Sequence, residues 1–471
     1  MKKNYKELFS NLVVFAMSNI GTKLILFFLV PIYTKYMTSS EYGVAELIVT
    51  TTGLVIPLVT LAINEAVYRF TIDKNTEDKE VLRCFYHVYI ISICITILIT
   101  IVLLCIPSIR KYAFLFALII IFSIINDGYA LFVKGRGKNK VFAIDNIVYV
   151  AVLTLCNLLF LIKFNMSING YLFAIIVAKF ISLIYLMVFG KSPKWVSFLK
   201  IDHVLLKRML MYSIPLLFNS LNWWVISSSD KYMLNYMVNS SEVGLFTVAS
   251  KIPALVNVVT TVFTEAWTIS SIKEHEEGAG SDFYNSVFEI YSICMALLVS
   301  FIMLIARPFM KIYVTQDFYS AVVFLPTLLM GAYYLGYSTF IGVTFSTVMK
   351  SEIIMKSSLY AAVINIILNF MLIPILGGLG ASIATMGTYM VISFYRYIKA
   401  QKYMPVSFSK IKFVMTIIIL LFQQIMVTLN IKWVYVSIIC IVLLVFIYLK
   451  TIKNIFNNLL VVIASRLKHK T

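Results

Sequence analysis

Ser39-Ser40-Glu41-Tyr42-Gly43 returns 201 residues later as Ser240-Ser241-Glu242-Val243-Gly244. Each copy follows one long apolar run and opens another, and the second run of each pair ends in the same dipeptide, Glu65-Ala66 and Glu265-Ala266. The echo therefore covers a whole helix hairpin, and the chain reads as a duplicated bundle.

The composition sets the solvent of that bundle. With 61% hydrophobic and 13% charged residues among 471, there is too little polar surface for an ordinary soluble core and shell. Apolar runs of about 20 residues recur along the chain, each long enough to cross the hydrocarbon of a bilayer as a helix, which keeps its backbone hydrogen bonds internal. They predict about 14 spans: 8–34, 43–67, 85–106, 113–133, 141–162, 168–189, 209–229, 243–269, 286–306, 320–346, 357–376, 379–397, 411–430 and 433–450. The expected fold class is an all-α polytopic membrane protein. Lys2, Lys3 and Lys6 ahead of an apolar run resemble a signal peptide, but the run outlasts a signal core and lacks a clear small-residue cleavage site, so it reads as a retained first helix.

Six spans separate the two motif copies, and an even number of crossings returns the chain to the same side in the same direction. The repeats are then parallel, related by an approximate two-fold along the membrane normal, the arrangement of transporters that hold substrate between their halves. The expected organisation is an N-lobe of helices 1–6 (1–190), a basic cytoplasmic linker (191–208), a C-lobe of helices 7–12 (209–400), and two appended helices with a basic tail (401–471). A weaker echo agrees: Asn157, Gly170 and Ala174 parallel Asn369, Gly380 and Ala384.

A formal charge of +19 raises the question of nucleic acid, and its placement answers against it. With the amino terminus in the cytoplasm, 29 of the 40 Lys/Arg residues fall in the termini and even-numbered loops. That is the positive-inside asymmetry, and it predicts a multi-pass membrane protein with both termini cytoplasmic. The six cysteines include no CxxC pair and the four histidines are scattered without ligand spacing, so no metal or cofactor is expected.

Several stretches carry a resemblance. The Glu-x-Gly turn after the first span, Ala66-x-Tyr68-Arg69-Phe70 leaving the second, Asp230-Lys231 ending the seventh, and Leu372-Ile373-Pro374 with Gly377, Gly380-Ala381 and Ala384-Thr385 are similar to Wzx-type polysaccharide flippases of the multidrug/oligosaccharidyl-lipid/polysaccharide (MOP) exporter superfamily. The likeness covers about residues 5 to 400. It implies flipping of an undecaprenyl-diphosphate-linked oligosaccharide, an O-antigen or capsule repeat unit, from the cytoplasmic to the periplasmic leaflet of a bacterial cytoplasmic (inner) membrane by alternating access, coupled to H+ or Na+ and carried out beside other polysaccharide-assembly proteins. Fourteen spans rather than twelve is similar to the related lipid II flippases. Lipid II flipping, multidrug or small-molecule export and, with less support, a membrane polysaccharide polymerase are the alternatives; the short outer loops offer no paired-acid or nucleophile constellation for an enzyme.

Ionisable groups inside spans are costly and face a cavity or a partner. Lys23 in span 1 and Lys251 in span 8 either floor a cationic cavity for an anionic headgroup, or snorkel and pair within the bundle; the resemblance implies that spans 1, 2, 7 and 8 surround that cavity. Lys179 in span 6 stands between substrate contact and structural pairing, and Arg69 between diphosphate capture and positive-inside anchoring. Glu46, Glu65, Asp127 and Glu265 are candidates for ion coupling or for neutralising nearby cations. Asn219, Asn222, Trp223 and Trp224 combine amides with aromatic faces, a mixture suited to sugar rings, although interfacial Trp is a common anchor. Ser18, Asn19, Thr50, Thr51 and Thr52 would extend such a lining or bond between helices.

Overall fold

The protein is known from a computed structural model, which describes residues 21–73, 75–107, 109–190, 201–277, 281–403 and 410–453. Every regular element among them is helical. After a first helix over residues 21–36 (α1) come α2 (Ser39–Thr60), α3 (Ile63–Ile72), α4 (Asp78–Leu104), α5 (Arg110–Gly135), α6 (Asn139–Asn157), α7 (Ser167–Phe189), α8 (His203–Met237) and α9 (Ser240–Glu276). They are followed by α10 (Ser281–Tyr313), α11 (Leu325–Thr347), α12 (Ser351–Ala400), α13 (Lys410–Thr428) and α14 (Trp433–Ile447). Eleven helices among the described residues are long and apolar enough to cross a membrane. The chain is a multi-pass membrane protein.

One expected span proves to be broken, and two others are joined by a tight bend. Span 43–67 is α2 and α3, separated where Leu61 and Ala62 take left-handed backbone angles (φ 50° and 55°). Pro57 lies one turn earlier, and its carbonyl accepts from the Ala62 amide at 3.0 Å, so the chain turns and restarts rather than continuing. Spans 357–376 and 379–397 are the two arms of α12, which folds back on itself at Gly377 (φ 56°, ψ −133°). A side chain on Gly380 would run into the Leu372 carbonyl, so only glycine lets the arms meet at this bend.

The chain divides into two compact units between Thr247 and Val248. The first therefore includes α8 and the opening turns of α9. Its apolar core gathers Ile63, Val67, Leu82, Phe85, Ile120 and Phe132 from α3, α4 and α5, with Leu186 of α7 and Met209 of α8. The expected linker lies outside the described residues up to residue 200; beyond it, Asp202 caps α8 by accepting from the Val204 and Leu205 amides at 2.8 and 3.0 Å.

The second unit is organised around α11, whose Tyr333, Tyr334, Tyr337 and Phe345 are almost wholly buried. Helices α13 and α14 are fixed within it by polar contacts. The Gln423 amide donates to the Ser300 carbonyl and its oxygen accepts from the Ser300 hydroxyl, at 2.9 and 2.6 Å. Gln424 donates to Thr327 at 2.8 Å, and Lys412 meets Glu289 at 2.6 Å. Arg307 reaches the Val427 and Thr428 carbonyls at the end of α13, where unpaired carbonyls and the helix dipole favour a cation.

Candidate functional site

The repeated motif forms the first turn of a helix in both copies. At α2, Thr38 precedes the motif, accepting from the Glu41 amide at 3.2 Å while the Glu41 carboxylate accepts from the Thr38 amide at 2.9 Å. This is a capping box, which satisfies two orphan donors at once. At α9, Asn239 accepts from the Glu242 amide at 2.9 Å.

The two copies also touch each other. Ser39 Oγ lies 2.7 Å from Ser241 Oγ, and Ser40 Oγ 2.9 Å from Ser240 Oγ. Since Ser39 corresponds to Ser240 and Ser40 to Ser241, each contact is the symmetry image of the other, the reciprocity expected across a local two-fold. The glycines repeat the pattern: a Cβ on Gly43 would overlap the Ser240 carbonyl, and one on Gly244 the Ser39 carbonyl. Glycine at these positions lets the two helix starts close to backbone contact.

One turn below this knuckle lies a buried ion pair. Glu46, 6% exposed, accepts from Lys231 Nζ at 3.0 Å through one oxygen, and from the Tyr42 and Tyr171 hydroxyls at 3.1 Å through the other. Lys231 also reaches Thr50 Oγ1 at 3.3 Å. The indole of Trp224 donates to the Thr50 carbonyl at 2.9 Å, and Tyr232 meets Thr51 at 2.5 Å, so α8 is stitched along α2. Tyr33 stacks on Tyr42 and meets Tyr171 edge-on, closing an aromatic wall around the carboxylate. Beside the seam opens an apolar cavity of about 420 Å³, bordered by Leu47, Thr51, Leu103, Phe116 and Tyr232.

A second polar cluster lies among α5, α6 and α7. Lys179 Nζ binds Asp127 at 2.7 Å and Asn126 Oδ1 at 3.2 Å, with the ammonium 5.1 Å from the Tyr149 ring centre. The Asn126 amide donates to Ser182 Oγ at 2.7 Å, and the Ser182 hydroxyl to Asp145 at 2.6 Å. Asp145, 4% exposed, is joined to Lys179 through Ser182 and Asn126, so a second carboxylate stands behind the first.

Of the residues singled out from sequence, Glu46 and Thr50 both meet Lys231, Trp224 bonds the Thr50 carbonyl, and Asp127 pairs with Lys179. Lys23, Glu65, Arg69, Asn219 and Trp223 are exposed, and Asn222 is half-buried. Lys251, half-buried, and Glu265, exposed, lie on the part of α9 that belongs to the second unit. Ser18 and Asn19 lie outside the described residues. Sequence reading missed Lys231 as a paired group because it was counted with the outer-loop cations, and missed Asp145 because a lone acid beside a helix start looks interfacial. One usable signal was the i,i+4 spacing of Tyr42 and Glu46 on a helix face.

These helices fall within a known sequence family. The family described as polysaccharide biosynthesis protein matches residues 8–269, more than half of the chain. The chain belongs to that family. No curated protein sequence matches it. Among solved structures, the chain is similar in fold to the lipid II flippase MurJ in an inward closed conformation, with TM-score 0.71 at 13% identity over 95% of this chain and 100% of that one. It is also similar to an inward-facing multidrug resistance MATE family transporter of the MOP superfamily, with TM-score 0.63 at 14% identity over 81% and 94%. A Vibrio cholerae MATE transporter, VcmN, gives TM-score 0.55 at 12% identity over 84% and 96%. The protein therefore shares its fold with these solved structures, and its sequence carries the polysaccharide-biosynthesis family signature.

Proposed function

We propose that this protein is a flippase that moves an undecaprenyl-diphosphate-linked oligosaccharide from the cytoplasmic to the periplasmic leaflet of a bacterial inner membrane by alternating access. The observation that carries the reading is the seam of α2 with α8 and the start of α9, closed in a protein whose family signature spans those same helices. A small-residue knuckle above a buried ion pair can part and re-form without refolding either helix. Lys231, with Lys23 and Lys251, supplies cations suited to a diphosphate headgroup, while the polyprenyl chain stays in lipid. Asn219, Asn222, Trp223 and Trp224 on α8 offer the amide and aromatic groups that sugar rings need, and Arg69 and Lys179 are further cations of the first lobe. Glu46, Glu65, Asp127 and Glu265 remain the candidates for coupling to H+ or Na+. The lobes of this mechanism are residues 1–190 and 209–400, with both termini cytoplasmic.

The test is deletion followed by analysis of lipid-linked sugars. Loss of the protein should accumulate a prenyl-diphosphate oligosaccharide on the cytoplasmic leaflet and lower surface polysaccharide; restoration by the wild type but not by the Lys23→Ala/Lys251→Ala double variant at equal membrane abundance supports the cationic route. A second reading, lipid II flipping, is favoured by the full-length likeness to MurJ. Accumulation of a muramyl-peptide lipid instead of a repeat unit would establish it. A reporter fused after Thr471 should be active only in the cytoplasm.

A further inference from the structure

The open end of the α12 hairpin holds a cation bonded to neutral groups. Arg396 donates from Nε to Ser357 Oγ at 2.9 Å, from Nη1 to the Ser338 carbonyl at 3.0 Å, and from Nη2 to Ser358 Oγ at 3.4 Å. Both serine hydroxyls give their own hydrogens to the Ile354 carbonyl, so every partner of the guanidinium is neutral. Among the described residues no carboxylate pairs with it. A guanidinium carries five N–H donors in a planar fork, and these three bonds leave part of the fork unused. Gly342 gives it room, since a Cβ there would stand 3.2 Å from Nη1.

The surroundings are cationic at one end and apolar along the sides. The hairpin and its flanks carry Lys350, Lys356, Arg396, Lys399 and Lys402 against a single acid, Glu352, which Lys356 already holds at 2.6 Å. All of these lie away from the Gly377 bend, at the end where Tyr360 of one arm meets Tyr395 of the other. Lys399, one turn beyond Arg396, lies over the Tyr395 ring. Leu359, Val363 and Ile367 on the first arm, each about half exposed, and Phe394 and Ile398 on the second, leave apolar stripes open to hydrocarbon.

We propose that Arg396 and Lys399 bind the phosphate of an anionic glycerophospholipid whose acyl chains lie along the hairpin arms. A partly desolvated guanidinium at a membrane boundary favours an oxyanion, and its fork matches phosphate geometry. Basic pockets between membrane helices on the cytoplasmic side are suited to anionic headgroups, and the charge asymmetry assigns this end to that side. The apolar stripes select a headgroup that carries chains rather than free phosphate.

Full-length protein in neutral detergent is titrated with phosphatidylglycerol, phosphatidylcholine or undecaprenyl diphosphate, and retained lipid and unfolding midpoint are read by native mass spectrometry and thermal denaturation. The wild type should retain phosphatidylglycerol in preference to phosphatidylcholine and be stabilised by it. Arg396→Gln should cut that retention at least fivefold, and Arg396→Lys should restore part of it. If Arg396→Gln does not fold, Lys399→Gln decides, with an intermediate loss expected and unchanged retention overturning the site. Equal retention of the two phospholipids by the wild type overturns the proposal. So does an Arg396→Gln protein that is less stable without lipid yet keeps its preference, since Arg396 would then be a staple alone. Retention of undecaprenyl diphosphate without phosphatidylglycerol also overturns it, assigning the cations to the transported substrate.

Discussion

The first unit holds two charged clusters at membrane depth, and they are balanced differently. At the α2–α8 seam, one carboxylate meets one ammonium and two tyrosine hydroxyls, each at ordinary hydrogen-bond distance. Among α5, α6 and α7, one ammonium binds Asp127, 42% exposed, directly and reaches a second carboxylate, Asp145, through Asn126 and Ser182. A matched buried pair has no substitute for either member, whereas an unmatched cluster holds a spare. The seam should therefore be brittle and the cluster tolerant, although both look alike as intramembrane charge in sequence.

Breaking the seam should have the largest effect. Lys231→Ala leaves Glu46 buried without a cation, a change that costs about 3–5 kcal/mol for a buried pair. Thermal unfolding in detergent should show a large drop, and the exchanged pair Glu46→Lys/Lys231→Glu should recover part of it; no drop would mean that the pair is open to water. The knuckle comes next. Gly43→Ala places a Cβ against the Ser240 carbonyl, and overpacking of this kind costs about 1–3 kcal/mol. Its effect is read by oxidative cross-linking of Ser40→Cys with Ser240→Cys, which should form readily in the parent and fall severalfold with Gly43→Ala.

Asp127→Asn should cost less than Lys231→Ala, because Asp145 remains to balance Lys179. The double change Asp127→Asn/Asp145→Asn strips the ammonium of both acids and should fall well below either single variant in membrane abundance. Additive small losses would show that the two carboxylates do not share the lysine. The smallest effect belongs to Trp224→Phe, which keeps the aromatic bulk and removes one hydrogen bond to the Thr50 carbonyl, worth about 0.5–1.5 kcal/mol.

Much of the fold was legible because hydrocarbon imposes length and polarity on each helix separately. The apolar runs foretold their helices one by one, including both arms of α12. The breaks were less legible. Pro57 and Pro374 lie within the helices that bend, but the left-handed turn at Leu61 and Ala62 involves residues with no intrinsic preference for it. In the site, Glu46 and Trp224 were visible as intramembrane polar groups. The pairing of Glu46 with Lys231 and of Trp224 with Thr50 was not visible, since these contacts join positions more than 170 residues apart.

The sequence by itself determined the solvent, the helical class and the duplication, because each is a local property repeated along the chain: apolar length, backbone self-satisfaction, and two copies of one hairpin. Only the tertiary structure decided that the copies meet each other. A repeat is compatible with two motifs lying apart on one face or touching across an axis. Reciprocal serine contacts and glycines that admit backbone against backbone require both helix starts to be in position at once. Which lysine receives Glu46 was decided in the same way, by the approach of α8 to α2, a distance that no stretch of either helix encodes alone.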